Sequence, residues 1–292
     1  MANLKEVRNR IVSVSSTQQI TSAMKMVSAA KLRRAQDAVT QMRPYANKLR
    51  EILENLSASL DGGEGVYSKQ REVKNVLLIV ITSNRGLCGG FNANVIKATN
   101  LLIKNKYASS KVSIMPIGKK ASDFYKKSGA TIIGLENDKN LNELFDDLTF
   151  ANAAPAAERA MKLFADEHFD KVELIYNQFK NAAVQITTIE QFLPVVPPAA
   201  SKTTKSKDYI FEPNKEFIVA DLVPRSLKTQ LFKALLDSHA SEHGARMTSM
   251  HKATDNAGAL IKELKLAYNK ARQAAITNEI LEIVGGAEAL NN

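Results

Sequence analysis

The first sixty residues carry a heptad pattern that few folds other than a pair of long helices can accommodate. Apolar residues recur at alternating intervals of three and four, which is the period of about 3.5 residues found in left-handed coiled coils. The seam positions are Leu4, Val7, Ile11, Val14, Leu32, Ala35, Val39, Met42, Ala46, Leu49, Leu53, Leu56 and Leu60. A helix of this length is roughly 85 Å long. Because such a helix owes most of its stability to packing, the pattern predicts a partner helix.

The middle of this seam is polar. The same phase places small and hydrophilic residues there: Gln18, Thr21, Lys25 and Ser28. Ile20, Met24 and Val27 lie to one side and predict a second apolar edge. Pro44 removes a backbone donor, so a kink or a locally broken hydrogen bond is expected there.

The end of the chain predicts the partner. Residues 225–284, after Pro224, read as a second helix of roughly 90 Å, which Gly285 and Gly286 are expected to stop. Its predicted seam alternates small and large residues: Ala253, Ala257, Leu260, Leu264, Ala267 and Ala271. Its far end is apolar, with Ile276, Ile280 and Ile283. Two long helices at opposite ends of one chain predict an antiparallel coiled coil.

Between the helices the hydrophobic period changes. Val76–Thr82 is a continuous apolar run, as expected of a strand buried on both faces. Further strands are predicted at Val112–Ile117, Thr131–Ile133, Val172–Phe179 and Val184–Leu193, and helices at Asn94–Asn105, Lys119–Ser128 and Pro155–His168, the last with its proline in the first turn. Pro194–Lys207 is expected to be an exposed loop or hairpin tip, and Tyr209–Phe211 and Phe217–Val219 either short strands or an extended return. The alternation predicts a mostly parallel sheet covered by helices.

Together these patterns predict a chain of the α plus α/β class. An antiparallel coiled coil of long N- and C-terminal helices would carry an inserted Rossmann-like α/β domain. The predicted bounds are residues 1–60 for the first coiled-coil helix, 66–215 for the α/β domain and 222–286 for the second helix.

The charge is unevenly distributed. The net charge is +10, and seven Lys and Arg between Lys25 and Arg50 face only Asp37. This positive cluster favours an acidic partner, such as nucleic acid, anionic lipid or an acidic protein loop. A solvated face of the coiled coil explains the cluster equally well. Aromatic interleaving, which nucleic-acid binding favours, is limited to Tyr45.

Three motifs invite a chemical interpretation and none supports one fully. The loop Ser83–Asn92 follows a strand but lacks the residues of a phosphate-binding loop, so a tight turn using Gly86, Gly89 and Gly90 is expected instead. His239–His243 matches H-x-x-E-H without an obvious third zinc ligand. Cys88, the single cysteine, has no nearby histidine and is expected to be buried and structural. We therefore predict no catalytic, cofactor-binding or metal-binding residue.

The longest apolar run, Val76–Ile81, is too short to cross a bilayer. The N-terminus has no secretory or transit signal, and one cysteine permits no internal disulfide and fits a reducing compartment.

Three stretches of sequence resemble one known family. The start, LKEVRNRIVSVSSTQQITSAMKMVSAAKLRRAQ with RPYA at 43–46, is similar to the amino-terminal helix of the gamma subunit of F-type ATP synthases. ITSNRGLCGGFN resembles that family's central domain, and the stretch from SEHGARMTSM to IVGGAEAL resembles its carboxy-terminal helix. Residues 105–205 are much less diagnostic.

The resemblance implies a non-catalytic rotor shaft, one copy per complex, which transmits torque between a proton-driven c-ring and a catalytic ring and imposes asymmetry on three catalytic sites. Its implied partners are the alpha, beta and epsilon subunits and the c-ring, with no nucleic acid, cofactor or small-molecule substrate. Its implied location is peripheral, on the cytoplasmic face of the bacterial inner membrane. The residues implied at the catalytic subunits are Met24, Lys25, Arg246, Gln273, Thr277 and Glu279, and those near the c-ring and epsilon are Tyr209 and Glu212.

Two other functions remain open from the residues alone. A coiled-coil nucleic-acid binder would use the Lys25–Arg50 surplus and bind with steep salt dependence. An α/β enzyme would use the glycine-rich loop and bind a nucleotide.

Overall fold

The computed structural model of the chain describes residues 4–57, 66–135, 141–195 and 215–291. Two very long helices flank the other elements: α1 (Leu4–Ser57) and α5 (Lys215–Asn291). Between them lie β1 (Asn75–Ile81), α2 (Phe91–Lys106), β2 (Lys111–Ile117), α3 (Lys119–Lys127), β3 (Thr131–Ile132), a 3₁₀ turn (Leu141–Phe145), α4 (Phe150–Ala165), β4 (Lys171–Phe179) and β5 (Gln185–Leu193). This is the predicted fold class, with long terminal helices around a central sheet domain.

The chain divides into two compact units. The helix-pair unit consists of Met1–Ser28 with Met247–Asn292, and the sheet unit consists of Ala29–Arg246. Each long helix contributes one part to each unit.

In the helix-pair unit, three contacts define an antiparallel register. The Thr254 hydroxyl donates to the Thr21 hydroxyl at 2.9 Å. On either side of it, Lys25 Nζ lies 3.3 Å from His251 Nδ1, and a Cβ added to Gly258 would lie 3.0 Å from the Gln18 amide nitrogen. Higher residue numbers in α1 pair with lower residue numbers in α5, so the two helices run antiparallel, as predicted.

The predicted seam of α1 is confirmed from Leu4 to Leu49, and the side chains of Leu53, Leu56 and Leu60 lie outside the described part of the chain. Every seam position from Leu4 to Leu49 is buried or half-buried, including the polar positions Gln18, Thr21 and Lys25. Ile20 and Val27, on the second apolar edge, are more than half exposed. Pro44 lies inside the helix and does not end it.

The predicted bounds and seam of α5 were partly wrong. The helix begins at Lys215, so Phe217–Val219 are helical rather than extended, and it continues through Gly285 and Gly286 to Asn291. Ala267 is exposed and the neighbouring Tyr268 is half-buried instead. The other five predicted seam positions, Ala253, Ala257, Leu260, Leu264 and Ala271, are buried or half-buried as predicted.

The sheet has the order β3-β2-β1-β4-β5, with only β5 antiparallel to its neighbour. Strand β1 lies at its centre, which is why its sequence is an unbroken apolar run. Leu77, Ile79 and Ile81 face a core shared with α4 and with Leu231 and Leu235 of α5. The alternate side chains of β1 face a second core covered by α2 and α3. Each fully buried aliphatic side chain contributes about 1.5–3 kcal/mol, so β1 anchors both layers.

Helix α4 begins five residues earlier than predicted. Its N-cap is Thr149, whose side-chain oxygen accepts a hydrogen bond from the Asn152 amide at 3.3 Å. Pro155 therefore lies in the second turn and not in the first, so the predicted proline start was wrong. The preceding 3₁₀ turn was not predicted either.

Candidate functional site

The loop after β1 lies where a Rossmann-like sheet usually binds its ligand. Strands β2 and β4 flank β1 on opposite sides, and the chain order reverses there. In open α/β sheets the crevice at the carboxyl ends of such strands is the common ligand site. The loop Ser83–Asn92 therefore decides whether this sheet binds a nucleotide.

Internal hydrogen bonds hold that loop in shape. The Ser83 amide donates to Asn92 Oδ1 at 2.9 Å, and the Ser83 hydroxyl donates to the Arg85 carbonyl at 2.6 Å. Asn92 Nδ2 lies 3.2 Å from the sulfur of Cys88. Cys88 is 1% exposed, which confirms the prediction of a buried cysteine, and burial raises the pKa of its thiol.

The conformation of the loop differs from the expected one. Gly89 takes a positive φ of 59°, as expected, but Gly90 has φ −78° and Gly86 is not in the left-handed region. Leu87 instead adopts φ 62°, a conformation uncommon for a residue with a side chain. The positions of the glycines in the sequence did not indicate that Leu87 would adopt a left-handed backbone conformation.

The guanidinium of Arg246 occupies the space beside this loop. It donates from Nη2 to the carbonyls of Arg85 and Gly86, at 3.1 and 3.3 Å, and from Nε to Gly86 at 3.3 Å. Its Nη1 pairs with Glu242 Oε1 at 2.7 Å. A phosphate-binding loop presents amide donors to an anion, whereas this loop presents carbonyls to a cation of its own chain.

Other contacts tie the same segment of α5 to the sheet unit. A Cβ at Gly244 would lie 3.1 Å from Cα of Ala182, so the helix backbone approaches the β4–β5 turn closely. Ala245 packs against Cys88 and Phe91. This part of α5 is a docked structural element of the sheet unit.

The H-x-x-E-H motif forms a pair of neighbouring histidines beside the arginine, of which His243 is buried and His239 is half-buried. His243 Nε2 lies 3.1 Å from His239 Nε2, and the ring of His239 stacks on Phe145. Burial is the main cause that lowers the pKa of His239 to about 4 and that of His243 to about 3, and the cations Lys31 and Arg246 contribute to both shifts. Burial raises the pKa of Glu242, which Arg246 opposes. In the described residues, no group of three or more His, Cys, Asp or Glu is arranged to hold a metal ion.

Five of the other residues implied by the resemblance lie in the helix-pair unit. Met24 and Lys25 are half-buried beside the polar contacts with α5. Gln273, Thr277 and Glu279 are exposed near the end of α5, where the Thr277 hydroxyl donates to the Gln273 carbonyl at 2.9 Å. About 33 Å of helix separates Gln273 from the position opposite Lys25, so the two groups form separate surfaces.

Arg246 is only 6% exposed and belongs to the sheet unit. Its position facing the loop carbonyls had no signal in the sequence. Tyr209 and Glu212 lie outside the described residues.

The far end of α5 is strongly apolar and exposed. The register places Leu4 opposite about residue 272, so α5 extends past the described start of α1. The exposed side chains there include Ile276, Ile280, Leu281, Ile283 and Val284, each about half exposed or more. Among the described residues, no helix combines the length and apolar character needed to cross a membrane.

Long terminal helices with an antiparallel register, around an inserted α/β sheet, define a coiled-coil protein of the α plus α/β class. The sequence profile described as ATP synthase matches residues 3–290. The chain belongs to the family of F-type ATP synthase gamma subunits.

Comparisons with individual proteins agree. The ATP synthase gamma chain of Christiangramia forsetii is 61% identical over 292 residues, covering all of both chains. A chain of the central stalk and c-ring structure of the Tetrahymena thermophila mitochondrial ATP synthase is 26% identical, with a TM-score of 0.56 over 80% of this chain and 99% of that one. A chain in the Euglena gracilis mitochondrial ATP synthase rotor shares the fold, at 22% identity and a TM-score of 0.63 over 94% of this chain and 98% of that one.

Proposed function

We propose that this chain is the central rotor shaft of an F-type ATP synthase. It transmits torque between a proton-driven c-ring and a catalytic ring of alpha and beta subunits, one copy per complex. The observation that carries the proposal is the antiparallel helix pair, with its apolar helix end left exposed beyond the partner. Family membership and the similarity to a chain of the Tetrahymena thermophila central stalk support it.

The exposed end of α5 suits a bearing surface. Its aliphatic side chains have no partner in the described chain, and contiguous exposed apolar surface of this kind marks an interaction site. An apolar sleeve formed by surrounding subunits would cover it while allowing rotation, because hydrophobic contact is non-directional. Gln273, Thr277 and Glu279 would supply polar contacts to the same subunits.

The polar middle of the helix pair suits a contact with an acidic loop. Lys25 is held by His251, and Arg33 and Arg34 are exposed on the following turns of α1. Met24 and Lys25 would meet the catalytic subunits there. A shaft that contacts three sites unequally biases them unequally, because only differential contacts shift a conformational equilibrium.

The sheet domain, bounded by residues 66–215 between helical domains 1–60 and 222–286, would seat on the c-ring and the epsilon subunit. Tyr209 and Glu212 are the residues proposed near that contact. Arg246 would belong to the contacts of α5 with the catalytic subunits, next to the loop Ser83–Asn92 that it holds. The chain would carry no catalysis of its own and lie peripherally on the cytoplasmic face of the bacterial inner membrane.

Charge reversal at Lys25 tests this function. In the complex reconstituted into vesicles, Lys25→Glu is expected to lower ATP-driven proton pumping several-fold relative to ATP hydrolysis. Lys25→Gln, which removes the charge without reversing it, is expected to have an intermediate effect. Lys180→Glu makes the same charge change at an exposed position of the sheet unit and serves as the control. Unchanged pumping in Lys25→Glu contradicts the assigned contact, and full coupling in a complex lacking the chain contradicts the rotor function.

A further inference from the structure

The outer surface of α2 and α3 is strongly basic. Residues 91–127 contain eight lysines, no arginine and one acidic residue, Asp123. The two helices lie side by side on one face of the sheet, where Val95 of α2 and Ala121 and Tyr125 of α3 share a core. The Tyr125 hydroxyl also donates to Asn100 Oδ1 at 3.3 Å.

Each helix presents the same outward pattern. In α2 it is Lys97, Leu101 and Lys104, and in α3 it is Lys120, Phe124 and Lys127, spaced in both cases at i, i+4 and i+7. All six residues are exposed, with Leu101 at 48% and Phe124 at 40%. Such spacing puts the three residues of each helix on one stripe. We call these six residues the basic face.

The lysines of this face have no acidic partner within the described chain. No carboxylate of the described residues forms an ion pair with Lys97, Lys104, Lys120 or Lys127. By contrast Lys106, near the edge of the face, pairs with the buried Glu173 at 2.7 Å. The field of the basic face is therefore directed outward and is complementary to a negative surface.

We propose that the basic face binds the anionic headgroup surface of a lipid bilayer. Lysines around a small apolar centre are typical of surfaces that lie in the membrane interface, where the ammonium groups reach phosphates and the apolar side chains enter the acyl boundary. Protein interfaces are depleted in lysine and enriched in arginine, which disfavours a protein partner. Single-stranded nucleic acid is bound by several stacking aromatic side chains, and this face offers one.

Vesicle flotation of the full-length chain tests the proposal without depending on its rotor function. The chain is expected to float with vesicles of phosphatidylcholine and phosphatidylglycerol, and to be released by high salt, because such attraction is screened. Vesicles of phosphatidylcholine alone are expected to bind it weakly.

Two matched variants locate the surface. Substitution of all four lysines of the basic face by Glu is expected to lower the partition coefficient more than about 100-fold, since each lysine near an anionic surface contributes about fivefold. The control substitutes four exposed lysines of α5 by Glu, with the same change in net charge, and is expected to stay within about threefold: Lys252, Lys262, Lys265 and Lys270. Leu101→Ser with Phe124→Ser leaves the charge unchanged and is expected to lower binding by about fivefold or more.

The outcomes separate the alternatives. Equal losses in the two lysine variants would show attraction by net charge alone and overturn the proposal. Absence of vesicle binding, or binding of single-stranded nucleic acid in place of vesicles, would also overturn it. Circular dichroism of each variant checks that the fold is retained.

Discussion

Mild acid is expected to destabilise the sheet unit through the pair His239 and His243. His239 is half-buried and His243 is buried, and both imidazoles face cations, so their folded-state pKa values are lowered, to about 4 and about 3. The folded state therefore binds fewer protons than the unfolded state, where each histidine titrates near its usual value of about 6.5. Their contribution to stability is complete above that value and is lost as the pH falls below it.

The size of the effect follows from linkage. Between about pH 7.5 and about pH 5, each histidine is expected to remove about 2 kcal/mol from the free energy of unfolding. The pair together removes about 4 kcal/mol, a large part of the roughly 5–15 kcal/mol that stabilises a typical domain. Lys31 on α1 and Arg246 on α5 disfavour protonation of either ring.

Urea unfolding followed by far-ultraviolet circular dichroism at both pH values measures this loss. His239→Gln with His243→Gln is expected to reduce the pH-dependent loss to less than about 1 kcal/mol, because glutamine does not titrate. The chain offers a matched control in its other two histidines, His168 and His251, both exposed. Their substitution by Gln is expected to leave the pH dependence unchanged.

The comparison between variants is also designed to separate the histidines from the contribution of two acidic residues to the pH dependence. Asp237 and Glu242, whose pKa values are raised mainly by burial, are retained in all the variants. If the double variant of the buried pair keeps the full pH dependence, the burial of two neutral histidines is not its cause and the reasoning is refuted.

Two further predictions concern the backbone at Gly118 and the ion pair of Arg246 with Glu242. Gly118 has φ +105°, and an added Cβ would lie 2.1 Å from the Thr82 carbonyl, so Gly118→Ala is expected to cost more than about 3 kcal/mol of unfolding free energy. Gly129→Ala, with φ +71° and open space, is expected to cost only about 1–2 kcal/mol, and equal costs in urea titrations would contradict this account. Arg246→Met leaves Glu242 buried without its cation and is expected to cost about 3–5 kcal/mol. Adding Glu242→Gln is expected to restore part of that loss in the same titration, and no recovery would argue against the ion pair as its source.

The seam of α1 and the buried strand β1 could be predicted because their information is local. A heptad repeat specifies one helix face whatever the partner is, and every predicted position from Leu4 to Leu49 is at least half-buried. The six apolar residues of β1 likewise specify a strand covered on both sides. The terminal motifs identified the family before any contact was known.

Local rules failed at the two ends of α5 and at one position of its seam. Glycine and proline were expected to limit α5, yet it includes Pro224, Gly285 and Gly286. A Gly or Pro residue costs a helix about 1–3 kcal/mol relative to Ala, which by itself is not enough to end a long helix. The choice of Tyr268 over Ala267 at the seam depended on the register with α1, which composition does not encode.

By itself the sequence determined the two helices, the central strand and the family, because repeat and composition act within one element. Only the tertiary structure decided what fills the crevice of the sheet. Arg246 and the loop carbonyl of Arg85 are 161 positions apart, and no spacing rule links them. The backbone of α5 approaches the sheet at Gly244, and that approach brings a buried cation to the place where related sheets bind an anion.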